Sequence, residues 1–180
     1  MAELNKLMIE QLRDAYSAEK QGLRTMSRLA KKAGSQALKD ALQTHAEETE
    51  SQVERLEKAL EMIGGRPGRK VCEAMRGILE EAQHELEDQE KGPVYDMLLV
   101  AAIQKVEHYE IASYGTLATL AKSAGQTELG ELLGQTLIEE KKTDELLTQL
   151  AEREINAAAI QAMQQPESAN DKRGGGKKSA

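Results

Sequence analysis

The stretch "LAKKAGSQALKDAL" at residues 29–42 recurs at residues 120–133 as "LAKSAGQTELGELL", shifted by 91 positions. Each copy has a glycine near its centre and apolar residues at helical spacing on both sides. The same shift carries Glu19 onto Glu110. The pattern indicates two helical hairpins that are copies of one unit and pack about an approximate two-fold axis as an antiparallel four-helix bundle. Because Ala, Lys, Gly and Leu are common in any helical hairpin, chance similarity is the alternative.

The composition favours an all-α domain. The chain of 180 residues has four Tyr but no Phe and no Trp, so its core is built from Leu, Ala, Met, Ile and Val. Only three prolines are present to interrupt helices. Glycine and proline divide the chain into five predicted helices, at 4–33, 36–63, 71–91, 93–124 and 127–159. The third helix is a crossover between the two hairpins, and we expect the bundle domain to span residues 1–162.

The net charge and the cysteine content limit the classes of binding partner and the cellular compartment that we expect for this protein. The net charge of -7 argues against nucleic acid as a partner of the folded domain. Residues 163–180 read as a disordered basic and Gly-rich tail that either contacts an anionic surface or is simply solvated. The single cysteine, Cys72, excludes an intramolecular disulfide and suits a reducing compartment. With no apolar run of about 18 residues and no signal-peptide core, we expect a cytoplasmic protein without a membrane partner.

Acidic residues lie on the apolar stripe of each long helix, near its middle. They are Glu19 on the first helix, Glu48 on the second, Glu107 and Glu110 on the fourth, and Glu140 with Asp144 on the last. Glu19, Glu48, Glu110 and Glu140 are 14 or 15 residues from the turn glycine of their hairpin, so these residues should reach one level of the bundle. Buried carboxylates repel one another unless protons or cations separate them. Two divalent metal ions are the usual solution in four-helix bundles.

Four segments carry a resemblance to a known family. "DAYSAEKQ", "HAEETESQVERLE", "QKVEHYEIASYGTLATLA" and "EEKKTDELLTQLA" resemble the YciF/YciE family of ferritin-like stress-response proteins over residues 4–158. "VEHYEIASY" is similar to the third-helix motif of rubrerythrins, whose two glutamates three residues apart bind a di-iron centre. The resemblance implies a ferritin-like bundle, a homodimer and a centre of two iron or manganese ions. The implied ligands are Glu19, Glu48, Glu107, Glu110 and Glu140.

The chain departs from the superfamily pattern at two histidine positions. Three residues after Glu48 stands Ser51, and three after Glu140 stands Thr143, so neither Glu-x-x-His motif is intact. Substitute ligands lie one helical turn away on the same stripes: His45 and Gln52 on the second helix, and Asp144 on the last. The register of the second helix is ambiguous by one position, because Glu47, Glu48 and Glu50 crowd the same turn.

Two functions of different classes follow. The first is a stress-associated protein with a carboxylate-rich di-metal centre, formed by Glu19, His45, Glu48, Glu107, Glu110, Glu140 and Asp144. By superfamily analogy, such a centre reacts with O2 or peroxide as a ferroxidase or peroxidase does, although the fold alone does not establish a reaction. The alternative is a non-enzymatic structural or interaction protein whose degenerate site holds no metal. Iron storage is a weaker third expectation.

Overall fold

The computed structural model describes residues 2–164, and within that range it is all helical with no strand. The elements are α1 (Ala2–Ala30), α2 (Gln36–Met62), α3 (Glu73–Glu87), α4 (Pro93–Ser123), α5 (Thr127–Leu150), a π-helical turn (Ala151–Ile155) and α6 (Asn156–Gln164). The all-α prediction is confirmed. The last predicted helix differs, because a π-helical turn joins α5 to α6 and the helical path reaches Gln164. The predicted tail lies outside the described residues from position 165 onward.

Local sequence signals explain where the helices begin and end. Ser35 caps α2, its hydroxyl accepting a hydrogen bond from the backbone N–H of Leu38 at 3.3 Å. Pro93 occupies the first turn of α4. A backbone N–H at this position would have no acceptor within the helix, so proline, which lacks one, is well suited to it. After α4 the chain passes through Gly125 at a φ of 76°, a left-handed conformation that favours glycine.

The helices form two antiparallel hairpins. α1 pairs with α2, and α4 pairs with α5, while α2 packs on α5 and α1 on α4. α3 is the crossover element and lies against α1 and α4. Asp96 joins the hairpins at one end of the bundle, accepting hydrogen bonds from the backbone N–H groups of Gly34 at 2.7 Å and Ser35 at 2.8 Å.

The hydrophobic core is divided into two clusters at opposite ends of the bundle. The cluster at the α1–α2 turn includes Leu38, Leu99 and Leu147 and extends under α3. The cluster at the α4–α5 turn includes Leu12 and Leu129. Because the two hairpin turns lie at opposite ends, the middle of all four long helices falls between the clusters. No helix among the described residues is both long and apolar enough to cross a membrane.

Candidate metal centre

A layer of buried polar side chains lies between the two apolar clusters. Each long helix contributes to it from the middle of its buried stripe, where the sequence changes from Leu and Ala to acidic, amide or hydroxyl residues. Its members are Glu19 from α1, His45, Thr49 and Gln52 from α2, Glu107 and Glu110 from α4, and Thr136, Glu140 and Thr143 from α5. The layer therefore concentrates four of the five buried carboxyl groups of the described residues between two apolar clusters.

Three of these residues form a first triad of possible ligand atoms. One nitrogen of His45 and one oxygen each of Glu107 and Glu140 lie within 4.8 Å of one another. The His45 Nε2 atom is 3.0 Å from Glu107 Oε1, an ion-pair distance without hydrogen-bond geometry. On the other side of the imidazole, Nδ1 lies 3.4 Å from Thr143 Oγ1. The hydroxyl of Thr143 thus contacts the ring that supplies nitrogen to the triad.

A second triad shares Glu140 with the first. Oxygens of Glu19, Glu110 and Glu140 lie within 4.8 Å of one another. The hydroxyl of Tyr114 donates a hydrogen bond of 2.5 Å to Glu19 Oε1, which fixes that carboxylate in the layer. Tyr16, one turn before Glu19 on α1, donates a hydrogen bond of 2.9 Å to Glu57 Oε1 rather than to a residue of the layer. The two triads together make a pair of adjacent sites with one bridging residue.

Burial raises the pKa of all four carboxyl groups. Burial, followed by the charge of Glu140, raises the pKa of Glu19 to about 8. Burial is also the main cause that raises the pKa of Glu107 to about 8. For Glu110 and Glu140, burial and the neighbouring carboxylates raise the pKa well above its ordinary value. The layer without a cation therefore retains protons at neutral pH, because several bare charges would repel one another in a medium of low dielectric constant.

The donor set fits divalent cations. Both carboxylate oxygens of Glu107 and both of Glu140 are buried with no donor in hydrogen-bond geometry among the described residues, so in the metal-free layer a proton shared between the two carboxyl groups is the bond open to them. Such groups are expensive to bury unless something binds them. Four carboxylates also balance the charge of two divalent ions. The residues present could hold one ion in each triad, with Glu140 common to both.

The second helix faces the layer with Thr49 rather than Glu48. Thr49 is buried, whereas Glu48 is partly exposed, with its Oε1 atom 3.5 Å from Lys142 Nζ. Glu48 therefore lies outside both triads. The internal repeat contains this signal, since the shift of 91 positions pairs Thr49 with Glu140 and Glu48 with Glu139. Applied strictly, the repeat would have selected Thr49 at the level of the layer.

Asp144 also lies outside both triads. Its carboxylate accepts a hydrogen bond of 3.0 Å from Gln104 Nε2, and its Oδ2 atom is 3.2 Å from Nε2 of His108, which is largely exposed. Ser51, at one of the missing histidine positions, is exposed and donates to the carbonyl of Glu47. The structure thus brings together Glu19, His45, Glu107, Glu110 and Glu140 from the predicted set of seven.

An ion pair beside the layer was missed by sequence reasoning. Arg55 binds Glu139 with two hydrogen bonds, Nη1 to Oε2 at 2.8 Å and Nη2 to Oε1 at 2.9 Å. Arg55 Nη1 also donates to Thr136 Oγ1 at 2.6 Å, and Gln52 Nε2 donates to Glu139 Oε2 at 3.1 Å. The pair fixes α2 against α5 next to Glu140. Neither the apolar stripe nor the repeat marks Arg55, because the repeat places Leu146 at its equivalent position.

The four antiparallel helices, the long crossover through α3 and the buried carboxylate layer define a ferritin-like helical bundle. Solved structures agree with this class. Ferritin-like, diiron-carboxylate proteins from Bacillus anthracis superpose with a TM-score of 0.66 at 18% identity, covering 83% of this chain and 99% of theirs. At that identity the likeness concerns the fold alone.

The family follows from closer relatives. The family model described as a domain of unknown function, DUF892, matches residues 3–160, and the chain belongs to that family. The chain is 46% identical to the protein YciF of Escherichia coli strain K12 over 160 residues, covering 88% of this chain and 96% of YciF. The crystal structure of the E. coli stress protein YciF superposes with a TM-score of 0.81, covering 87% of this chain and 99% of that one. The resemblance read from the sequence is confirmed.

Proposed function

We propose that this protein binds two metal ions, iron or manganese, in its buried carboxylate layer. The observation that supports the proposal most strongly is the set of four carboxylate oxygens on Glu107 and Glu140 that are buried with no donor in hydrogen-bond geometry among the described residues. One ion would be held by His45, Glu107 and Glu140, and the other by Glu19, Glu110 and Glu140. One imidazole nitrogen among carboxylate oxygens is a donor set that suits iron and manganese.

The protein's own residues bind and orient the ligands. Tyr114 holds Glu19 through its hydroxyl, and the Arg55–Glu139 ion pair fixes the helices on either side of Glu140. The apolar clusters above and below the layer exclude bulk water, which strengthens the attraction between carboxylates and cations. When bound, iron or manganese would supply redox chemistry toward O2 or peroxide. E. coli YciF is described as a stress protein. We propose that redox chemistry at the metal centre is the link between this protein and the stress response.

Metal content tests the proposal directly. Protein stripped with a chelator is loaded anaerobically with Fe²⁺ or Mn²⁺, and bound metal is measured by elemental analysis. We expect two ions per chain, one for each triad. Glu140→Gln should lose both ions, because Glu140 belongs to both triads. Glu48→Gln is the matched control and should retain them, because Glu48 pairs with Lys142 outside the triads.

Stability upon loading gives a second measurement. A ligand present at 100 times its Kd stabilises the folded state by about 2.7 kcal/mol, so loading should raise the Tm. Less than about half an ion per chain, with no change in Tm, would refute the metal centre and favour the non-enzymatic structural role. The observation that favours this second candidate is the presence of Ser51 and Thr143 at the two superfamily histidine positions.

We also propose that the chain is a cytoplasmic homodimer. The dimer rests on the family resemblance. The cytoplasmic location rests on the single cysteine, Cys72, which suits a reducing compartment. Light scattering should give a mass near two chains. A mass of many subunits would contradict the dimer and support a storage shell instead.

A further inference from the structure

A small cavity lies between α1 and α2 beside the carboxylate layer. Its volume is about 20 Å³, and a cavity needs roughly 10–15 Å³ to hold one water molecule. Its inner wall includes Glu19, His45 and Glu110, and its outer wall includes Ser27, which is exposed. The cavity therefore has room for about one water-sized molecule, and its lining extends from the exposed Ser27 to the buried residues of the layer.

Gly22 leaves this space open. It lies in the interior of α1 and lines the cavity, and a Cβ atom at this position would be 3.8 Å from Glu110 Oε1, an ordinary van der Waals contact. Packing therefore does not demand glycine here, although glycine is unfavourable inside a helix relative to alanine. Gly130 shows the contrast, because a Cβ there would approach the carbonyl oxygen of Ala118 to 2.9 Å. The role that remains for Gly22 is the volume it leaves beside Glu110.

The cavity reaches both triads. Glu19 and Glu110 of the second triad and His45 of the first line it, whereas Glu107 and Glu140 do not. Its other walls include the apolar side chains of Leu42 and Val106, which disfavour an extensively hydrogen-bonded or multiply charged molecule.

Building on the proposed metal centre, we propose that this cavity is the access and binding position for one water-sized or diatomic molecule beside Glu19, His45 and Glu110, kept open by Gly22. Glu107 and Glu140, which do not line the cavity, form the enclosed part of the layer.

Nitric oxide is a suitable probe, because it is an uncharged diatomic molecule that binds Fe²⁺ with a visible absorption band. Its association with iron(II)-loaded protein is measured anaerobically by stopped flow, after the iron content of each variant has been determined. Gly22→Leu should slow association at least tenfold, and Gly22→Ala should slow it by a smaller factor. Gly77→Ala is the matched control, because Gly77 is an exposed α3 residue where an added Cβ atom would meet no neighbouring atom within 4 Å.

Both alanine variants should keep or raise the Tm, since alanine is the better helix former. An unchanged association rate in Gly22→Leu at full iron content would overturn the inference. If Gly22→Leu does not fold, Gly22→Ala decides the question: a rate equal to that of Gly77→Ala overturns the inference, and a slower rate supports it. Wild-type protein that binds no iron would overturn the metal centre itself, which the iron measurement reveals before nitric oxide is added.

Discussion

The stability of the metal-free protein should fall as the pH rises from about 5 to 8. In the folded state the pKa values of Glu19 and Glu107 are raised from 4.5 to about 8, mainly by burial. Between these values the folded chain holds protons that the unfolded chain has released. The stability contributed by these protons is therefore fully present below pH 4.5 and is lost as the pH rises toward 8. Glu110 and Glu140, whose pKa values burial and neighbouring carboxylates raise well above the ordinary value, add to the loss in the same direction.

The magnitude follows from proton linkage. One carboxyl group that is protonated only in the folded state changes the free energy of unfolding by about 1.4 kcal/mol per pH unit. The four carboxyl groups of the layer interact, so their contributions are not simply additive. We expect the free energy of unfolding to fall by several kcal/mol between pH 5 and 8, which is a large part of a typical stability of about 5–15 kcal/mol. Glu139 acts oppositely: although burial opposes the change, hydrogen bonds from Arg55 lower its pKa, and its contribution is lost below about pH 4.5.

The assay is urea unfolding followed by circular dichroism in chelator, at several pH values from 5 to 8. Glu19→Gln and Glu107→Gln should each reduce the dependence on pH, whereas Glu50→Gln, which alters an exposed residue of α2, should leave it unchanged. Loading with Fe²⁺ or Mn²⁺ should reverse the trend, because metal binds the deprotonated carboxylates. A free energy of unfolding that is constant or increases from pH 5 to 8 in the metal-free protein would refute the reasoning.

Two further substitutions test the contacts around the layer and at the end of the bundle. Tyr114→Phe removes the hydroxyl that donates to Glu19, so it should lower the free energy of unfolding by about 1–3 kcal/mol and raise the pKa of Glu19 further, as measured by urea unfolding across pH. An unchanged pH profile would contradict this. Asp96→Asn leaves one acceptor for the N–H groups of Gly34 and Ser35 and should reduce stability by about 1–3 kcal/mol at full metal content. A variant that loses metal but keeps its free energy of unfolding would contradict this structural role of Asp96.

Helical periodicity and glycine positions account for most of the architecture. The breaks at Gly34, Gly64 and Gly125 follow directly from local backbone chemistry. The structure confirms Ser35 as the N-cap of α2 and the predicted start of α4 near Pro93. The π-helical turn after Leu150 was not predicted. It has no glycine or proline to mark it, so the sequence continues there as an ordinary amphipathic helix.

The candidate site was also predicted only in part from the sequence. Glu19, Glu110 and Glu140 were selected because each lies on an apolar stripe at an equal distance from its turn, a property of one helix and its hairpin. Helical periodicity could not distinguish Glu48 from Thr49 as the residue that faces the layer. Adjacent residues are about 100° apart around a helix, and an apolar stripe is at least that wide.

The helices, the two repeated hairpins and the carboxylates that each stripe brings to one level can be read from the sequence, because they depend on local backbone geometry and periodicity. Tertiary packing sets which carboxylates lie together and which residues support them. Tyr114 reaches Glu19 across 95 positions, and Arg55 reaches Glu139 across 84. Such contacts depend on the rotation and crossing of whole helices, which are fixed by the packing of both apolar clusters together.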